Sequence, residues 1–275
     1  KPVGERLHGG HSKLLHQDLS PATQFPHITI LNASANDIRS LEPLGQLSSL
    51  VELDLSSNLI SDVQPLVHCS LLVRLNLARN RFFDVSPLAR LSKLKNLTID
   101  CNRTLTLAPL KDAALESLNA ASNRNLANGG LDEFLQSSPV VHLCLEDVQV
   151  KRNTSFAKLR RLKSLDLSSN AMDRVPKLPR QLVSLRMNDN PMTRIHSLPR
   201  ALESLSIRHL KRLADLSFLN NLPKLTHLDM AGCYSIKQIA APPSLQYLDI
   251  TLMEVEGEWD HVPQVHTDYN LDDYF

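Results

Sequence analysis

Residues 50–66 read LVELDLSSNLISDVQPL, and the spacing of their apolar residues suits neither an α-helix nor an ordinary strand. Leu53 and Leu55 alternate with polar residues, so both side chains point to one side of a short strand. Asn58 follows where the chain must turn sharply, which leaves backbone polar groups without sheet partners. A buried side-chain amide can satisfy such groups with two donors and one acceptor. We therefore expect a short strand, a turn held by Asn58 and a return segment.

The same pattern, L-x-x-L-x-L-x-x-N, recurs eleven times at spacings of 20 to 25 residues. The copies end at Asn36, Asn58, Asn80, Asn102, Asn123, Val148, Asn170, Asn190, Leu210, Cys233 and Met253. One such strand cannot bury its leucines alone, whereas stacked copies share a continuous core. The repeat therefore predicts an α/β solenoid, an arc of about eleven units with a parallel concave sheet. Asn at the last position is interpreted as a buried structural residue, including Asn102.

Prolines mark the segments that return the chain from one strand to the next. Pro43, Pro65, Pro87 and Pro109 are 22 residues apart. Proline fixes φ and has no N–H group, so it favours short pieces over long helices. The convex side is therefore predicted to consist of short 3₁₀ or extended segments.

These motifs resemble the leucine-rich repeat family over about 225 of the 275 residues. Units such as NLISDVQPL resemble the SDS22-like subclass of 22 residues, of which bacterial internalins are also typical. The units VPKLPRQL and IHSLPRAL resemble the LPxxL-type repeats, 20 residues long, of bacterial effector proteins. The resemblance implies the fold and a binding role. It also implies a concave partner surface, because SDS22-like proteins hold their phosphatase with acidic and aromatic concave residues.

The predicted domain order is an N-terminal cap at 1–27, the leucine-rich repeat domain at 28–253, and a C-terminal cap with an acidic, aromatic tail at 254–275. Caps are needed because the ends of a solenoid expose apolar surface. The spacing of Leu14, Leu15 and Leu19 predicts a short amphipathic helix that Pro21 stops. LDEFLQ at 131–136 predicts a second short helix on the convex side.

Amino-acid composition limits the binding partners and the cellular compartment that we expect for this chain. Thirty Lys and Arg against twenty-nine Asp and Glu predict no membrane partner and disfavour nucleic acid. No apolar run approaches the roughly 18 residues that a membrane helix needs. Cys69, Cys101, Cys144 and Cys233 are far apart, so we expect free thiols and an intracellular protein, cytoplasmic or associated with the cytoskeleton or nucleus. The chain starts with Lys1 and not with Met, which favours an excised domain.

Enzyme motifs are absent from the sequence. It contains no GxGxxG, Walker A, GxSxG or HExxH pattern, and its eleven histidines lack zinc-ligand spacing. We therefore expect no catalysis, cofactor or metal. The LPxxL resemblance leaves one alternative, the substrate-recognition domain of a ubiquitin ligase or effector, whose catalytic domain would be separate.

The predicted binding surface is the concave sheet face, where residues beside and between the strand leucines point outward. The candidate partner-binding residues are Glu52, Asp54, Arg74, Asn76, Arg79, Asp100, His142, Glu146, Asp166, Arg186, Arg208, His227, Asp229, Tyr247 and Asp249. With Asp147 and Asp189 included, nine acids face four arginines. An acidic surface favours a partner with a basic element. The leading hypothesis is a monomeric, non-catalytic scaffold or adaptor that binds a protein partner.

A basic stripe offers an alternative site. Arg160, Arg180 and Arg200 recur every 20 residues, which predicts that they align along one edge. Such a stripe would suit phosphate or RNA, with binding that weakens steeply as salt increases. No aromatic stacking platform accompanies it, which argues against single-stranded RNA. A nucleic-acid-associated module is therefore the less favoured hypothesis.

Overall fold

The computed structural model describes residues 6–8, 10, 17–128 and 130–267. Two compact units divide the chain, unit 1 at residues 1–144 and unit 2 at residues 145–275. Most of the helix predicted from Leu14, Leu15 and Leu19, and the tail at 268–275, lie outside the described residues.

Unit 1 is built on three-residue strands. They are β1 (Arg6–His8), β2 (Ile30–Asn32), β3 (Glu52–Asp54), β4 (Arg74–Asn76), β5 (Asn96–Thr98), β6 (Ser117–Asn119) and β7 (His142–Cys144). Each pairs in parallel with the next, and the central leucines are in register, as Leu53 is with Leu75. The leucine register arises because the repeat places one apolar side chain at the same point of every strand.

The return segments of unit 1 confirm the prediction from the proline spacing. Its 3₁₀ helices are Ser20–Gln24, Glu42–Gln46, Gln64–His68, Ser86–Arg90, Ala108–Leu110 and Arg124–Asn128. The first five have proline in the first turn, where its missing N–H costs nothing. Pro21 thus lies in the first turn of a 3₁₀ helix, while the helix that it was predicted to stop lies mostly outside the described residues. The single α-helical turn in the described chain, α1 (Phe134–Ser137), falls where LDEFLQ predicts a helix.

Unit 2 contains a parallel sheet and a smaller strand pair. Its strands are β8 (Ser164–Asp166), β9 (Ser184–Arg186), β10 (Ser204–Ser206), β11 (His227–Asp229), β12 (Gln238–Ala240), β13 (Tyr247–Asp249), β14 (Glu256–Glu258) and β15 (Gln264–His266). The sheet order is β8-β9-β10-β11-β13-β15, while β12 pairs with β14 on the return side. One 3₁₀ helix, Ser217–Asn221, precedes β11. With β1 and β15, strands of the same parallel register extend past both ends of the predicted range 28–253.

The asparagine ladder has the predicted structural role. Asn58 is 4% exposed, and its Nδ2 donates to the carbonyl oxygens of Leu55, 3.0 Å away, and of Ala33 in the preceding repeat, also at 3.0 Å. Its Oδ1 accepts the N–H of Ile38, again in the preceding repeat, at 3.0 Å. Each ladder asparagine with this pattern therefore closes its own turn and joins it to the repeat before.

Two members of the ladder depart from this description. Asn102 is only half-buried and its Oδ1 has no hydrogen-bond partner, so the prediction of full burial there was wrong. The loop that follows Asn102 turns toward Asn123, which takes the Thr104 N–H at 3.0 Å. In unit 2 the Cys233 thiol replaces the amide and donates to Ile207 O at 3.1 Å.

The turn before each ladder position needs an unusual backbone. The residue just before the ladder position has a positive φ in repeat after repeat, near 50–58°, where side chains other than glycine are rare. These residues are Ala35, Ser57, Arg79, Cys101, Ser122, Asp147, Ser169, Asp189 and His209. Buried amide hydrogen bonds on either side hold this conformation in place.

None of the helices in the described part of the chain has the length and apolar composition needed to cross a membrane.

Candidate functional site

The sheet face of each unit shows the predicted alternation. In β3 the central Leu53 is 2% exposed, whereas Glu52 and Asp54 on either side are half-buried and point away from the core. The same pattern holds at β8, where Ser164 and Asp166 flank a buried leucine. In these two strands the structure confirms the predicted alternation of core and outward-facing side chains.

On unit 1 the predicted residues form a shallow depression of about 360 Å³, lined in part by Glu52, Asp54, Arg74 and Asn76. The Arg74 guanidinium forms an ion pair with Glu52, whose hydrogen bond raises the pKa of Arg74. Asn76 Nδ2 donates to Asp54 Oδ2 at 3.2 Å. Polar groups in this depression are thus largely satisfied by one another.

The remaining predicted residues of unit 1 lie around that depression. Arg79 is exposed on the positive-φ turn after β4, and His142 is exposed at the start of β7. Asp100 follows β5 and accepts the Asn119 side-chain amide at 3.3 Å. The face of unit 1 therefore carries both charge signs in close proximity.

Several of the predicted acids also have a structural task that the sequence reading missed. Asp54 Oδ1 accepts the N–H of Ser56 at 2.9 Å, and Asp166 Oδ1 accepts the N–H of Ser168 at 2.9 Å. This is an Asx turn, in which a carboxylate satisfies the backbone two residues on. The recurring Asp-Leu-Ser sequence carries the signal. Only the second oxygen of each carboxylate is left to face the open side.

Unit 2 gathers four carboxylates, Glu146, Asp147, Asp166 and Asp189, which we call the acidic cluster. Carboxylate oxygens of Glu146 and Asp166 lie within 4.8 Å of each other. Burial raises the pKa of Glu146, and repulsion from Asp166, Asp147 and Asp189 raises it further, while Arg186 lowers it. The side chain of Arg186 is exposed beside the cluster on β9. Of the charged neighbours that shift the pKa of Glu146, three are acids and one is an arginine.

Neighbouring groups compensate some of the charge in unit 2. His209 Nδ1 lies 3.0 Å from Asp189 Oδ1, and Arg208 lies 3.5 Å from Asp229 Oδ2. Burial raises the pKa of Asp229, while Arg208 opposes that shift. Asp249, predicted as a partner contact, is only 8% exposed and accepts the N–H of Thr251 at 2.9 Å. Among these acids, those of the acidic cluster are therefore better placed than Asp249 to meet a partner.

A row of rings follows on the same sheet face. The rings of His227 and Tyr247 stack with centroids 5.8 Å apart, and the ring of His266 lies 5.2 Å from Tyr247 on the other side. Sequence reading named the first two but missed His266, because the L-x-x-L-x-L pattern ends at 253. In β15 and the turn before it, Val262 and Val265 are the apolar residues that keep part of that pattern.

The basic stripe occupies equivalent positions in three successive repeats of unit 2. Arg160, Arg180 and Arg200 are exposed, each just ahead of the strands β8, β9 and β10. Their side chains therefore lie on the loops that enter the sheet, and not on the open sheet face.

Comparison with known proteins identifies the repeats. The family "Leucine Rich repeats (2 copies)" matches residues 26–68. No curated protein matches the chain significantly.

Solved structures share the fold at low identity. Internalin InlF of Listeria monocytogenes is 21% identical, with a TM-score of 0.62 over 90% of this chain and 84% of its own. The functional domain of InlJ from the same organism is 17% identical, with a TM-score of 0.60 over 92% of this chain and 60% of its own. A TLR13–ssRNA13 complex gives 16% identity and a TM-score of 0.50 over 86% of this chain and 52% of its own. The chain is therefore built of leucine-rich repeats and has the leucine-rich-repeat solenoid fold.

Proposed function

We propose that this chain is a non-catalytic interaction scaffold, and that the sheet face of unit 2 binds a protein partner through a basic element. Leucine-rich-repeat proteins, internalins among them, are commonly protein-interaction modules, and the fold is typically non-catalytic. Repeat proteins use their exposed sheet for recognition because stacking aligns equivalent side chains over a long surface.

The surplus negative charge of the acidic cluster carries this proposal. Like charges on Glu146 and Asp166 within 4.8 Å repel each other, as the raised pKa of Glu146 reflects. Lys or Arg side chains of a partner would relieve this repulsion when they dock between the carboxylates. Electrostatic complementarity of this kind mainly raises the association rate and selects the partner.

The ring row supplies the second half of the proposed surface. Tyr247 lies between two imidazoles and is half-buried, so its ring is held before any partner arrives. Ordered tyrosines bind partners with little loss of side-chain entropy and are frequent among interface hot spots. We assign Tyr247 the role of an anchor beside the acidic cluster.

A finer assignment to the SDS22-like adaptors rests on unit 1. Its repeats combine the N-x-I-x-x-V-x-P-L sequence with 3₁₀ return helices that start at proline. The two finer alternatives are a nucleic-acid-associated module and a substrate-recognition domain of a ubiquitin ligase or effector. Likeness to the RNA-bound TLR13 structure concerns the fold alone and does not favour the first of them.

The test compares two triple variants by fluorescence anisotropy. The probe is a labelled synthetic peptide in which Arg alternates with Thr, and a matched peptide carries Glu in place of Arg. Glu146→Gln/Asp166→Asn/Asp189→Asn removes three charges but keeps the Asx turn, because an amide oxygen can accept the same hydrogen bonds. We expect about tenfold weaker binding of the Arg peptide by this variant.

The matched control is Asp62→Asn/Asp84→Asn/Asp112→Asn, which neutralises three exposed acids on the return segments of unit 1. Asp62 and Asp84 each accept a backbone N–H, and asparagine retains both hydrogen bonds. We expect binding within about twofold of the parent chain. Equal losses in both triple variants, or equal affinity for the Glu peptide, would remove the support for this function.

A further inference from the structure

A groove opens on the return side of unit 2, away from the acidic cluster. Its walls are two successive return segments, residues 173–180 and 193–199, and its volume is about 660 Å³. Both segments belong to the short repeats of 20 residues. The groove exists because these repeats return without a 3₁₀ helix, so their backbones do not fill the space between neighbours.

The walls of the groove offer backbone groups to an incoming chain. In the described residues, no backbone N–H from Thr193 to Leu198 donates a hydrogen bond. On the other wall, the segment around Lys177 is extended and already forms a parallel bridge with Ser155, with the Phe156 N–H donating to Lys177 O at 2.8 Å. Return segments of unit 2 thus pair as strands at two described places, at Ser155 and Lys177 and between β12 and β14.

The rim of the groove is cationic. Arg174, Lys177, Arg180 and Arg194 are exposed around it, and the one acid in its lining is Asp173. The Asp173 carboxylate is already engaged by two arginines, Arg152 at 2.9 Å and Arg174 at 3.5 Å.

The positive field also reaches the next return segment. The pKa of Asp215 is lowered first by hydrogen bonds from Ser217 and then by Arg194 and His196. Arg194 and His196 of the groove lining therefore already attract one carboxylate from outside the groove.

The floor of the groove is apolar. Val175 and Leu178 are half-buried on one wall, and Leu198 is nearly buried on the other. An extended chain places alternate side chains on opposite sides, so one set could contact this floor while the other reaches the cationic rim. Neither wall carries Phe, Tyr or Trp, and His196 is the one ring in the lining, so the groove lacks the row of rings on which successive nucleic-acid bases stack.

We propose that this groove binds an extended acidic peptide segment of a partner protein, which adds to the walls as a strand. Backbone hydrogen bonds to the Thr193–Leu198 wall would give affinity, and the arginines would select acidic side chains. This surface is separate from the sheet face of unit 2 and has the opposite charge. The two surfaces can therefore bind different partners, and either proposal can fail while the other holds.

The test uses a labelled peptide in which Glu alternates with Val, and a matched peptide with Gln in place of Glu. The groove variant Arg174→Gln/Lys177→Gln/Arg194→Gln neutralises three exposed cations of the rim. The control variant Arg160→Gln/Arg200→Gln/Arg212→Gln neutralises three exposed cations outside the groove lining. Anisotropy should show about tenfold weaker Glu-peptide binding for the groove variant and about twofold or less for the control.

Hydrogen exchange distinguishes strand addition from loose charge attraction. With the Glu peptide bound, amides from Thr193 to Leu198 should exchange more slowly, while those of the return helix Glu42–Gln46 should not change. Equal losses in both variants, or no added protection at 193–198, would overturn the proposal. So would tighter binding of an oligouridylate probe that is lost in the groove variant, because the ligand would then be nucleic acid. Folding of every variant is checked by its far-UV spectrum and by the midpoint of its urea denaturation.

Discussion

At the scale of single residues, two ladders of polar side chains run through the turns. Asparagine side chains such as Asn58 form the inner one, with bonds to their own repeat and the one before. Asx turns form the outer one, where Asp54 and Asp166 accept backbone N–H groups with one oxygen. The residues that make the sheet face acidic therefore also hold its turns, which limits the substitutions that the face tolerates.

A comparison of Asn58→Ala with Asn102→Ala measures the inner ladder. Asn58 uses both ends of its amide, whereas the Oδ1 of half-buried Asn102 has no partner. Loss of Asn58 leaves the buried Ile38 N–H unsatisfied, whereas Ala33 O keeps the Asn36 amide, so we expect a loss of about 3 kcal/mol in the free energy of unfolding. Asn102→Ala should cost about 1 kcal/mol or less, since the carbonyl groups that its amide contacts each keep another donor and no N–H group loses an acceptor.

Urea denaturation followed by circular dichroism gives both values. Equal destabilisation by the two alanines would mean that the oxygen of Asn58 contributes nothing, contrary to the hydrogen bond from the Ile38 N–H.

Sequence reading located the asparagine ladder because an amide that recurs every 20 to 25 residues, always after the same leucines, indicates a turn repeated along a stack. The sequence could not show that Asp54 both faces the open side of the sheet and holds a turn. An outward carboxylate gives the same sequence pattern whether or not one of its oxygens accepts a backbone N–H. The Asp-Leu-Ser sequence indicates an Asx turn only when the following backbone is known to turn. For the same reason the near-burial of Asp249 was not predictable.

At the scale of elements, repeat length decides what returns the chain to the sheet. The repeats of 22 residues in unit 1 return through 3₁₀ helices that begin at proline, whereas the repeats of 20 residues in unit 2 return without a 3₁₀ helix. The first behaviour was predictable from Pro43, Pro65 and Pro87, because proline suits a helix start. The groove between residues 173–180 and 193–199 was not predictable from the sequence, because an unfilled space depends on how two neighbouring segments pack.

The leucine pattern also did not predict the strands at the two ends of the described chain. Both β1 and β15 pair in parallel with their neighbours. Backbone hydrogen bonds make such a pair, so a terminal strand needs fewer buried leucines than one inside the stack. The consequence for the site is His266, which completes the ring row from β15.

Gly257→Ala tests the smaller strand pair of unit 2. A Cβ atom at Gly257 would lie 1.9 Å from the backbone oxygen of Ile239, so β12 and β14 must separate to admit it. We expect a loss of about 2 kcal/mol or more in stability and faster amide exchange in both strands. The matched change Gly45→Ala meets nothing within 4 Å and should be neutral or stabilise by about 0.5 kcal/mol.

Thermal unfolding and hydrogen exchange of both alanine variants provide the measurement. Normal protection of the Glu256 N–H, which donates to Lys237 O, in Gly257→Ala would contradict the predicted separation of the strands.

At the scale of the whole molecule, the net charge of +1 conceals local charge of both signs. The acidic cluster and the cationic groove lie in the same unit, and their charges largely cancel in any count over the chain. The near balance of charges in the composition therefore gives no sign of either surface. Only the repeat register, which assigns each charged residue to the sheet face or the return side, separates the two.

Each unit carries one buried thiol that reports on its opening. Burial raises the pKa of Cys69 in unit 1 to about 11 and the pKa of Cys233 in unit 2 to about 12. Thiolates are the reactive form, so both cysteines should resist a thiol reagent at pH 8 and react once their unit unfolds. Unfolded thiols ionise near pH 9.0, so the burial of Cys69 should make stability fall as pH rises from 9.0 to about 11.

Labelling across a urea series, with the modified cysteine identified by mass spectrometry, follows each unit separately. Half-buried Cys101 is the internal comparison, because it should react before Cys69 in the folded chain. Rapid native-state labelling of Cys69 or Cys233 would contradict the burial of that thiol.

The inner ladder also gives the solenoid a polarity. Asn58 completes the turn of the repeat before it, Asn80 does the same for the next, and Asn190 serves Met172 in unit 2. During synthesis, a repeat therefore leaves the ribosome with unfinished backbone bonds until its successor has emerged. Truncation from either side breaks main-chain hydrogen bonds between strands, such as that from the Val51 N–H to Thr29 O, but truncation from the C-terminal side also orphans the buried N–H groups, such as that of Ile38, that the asparagine oxygens accept. Shortening the chain from its two ends is thus not equivalent.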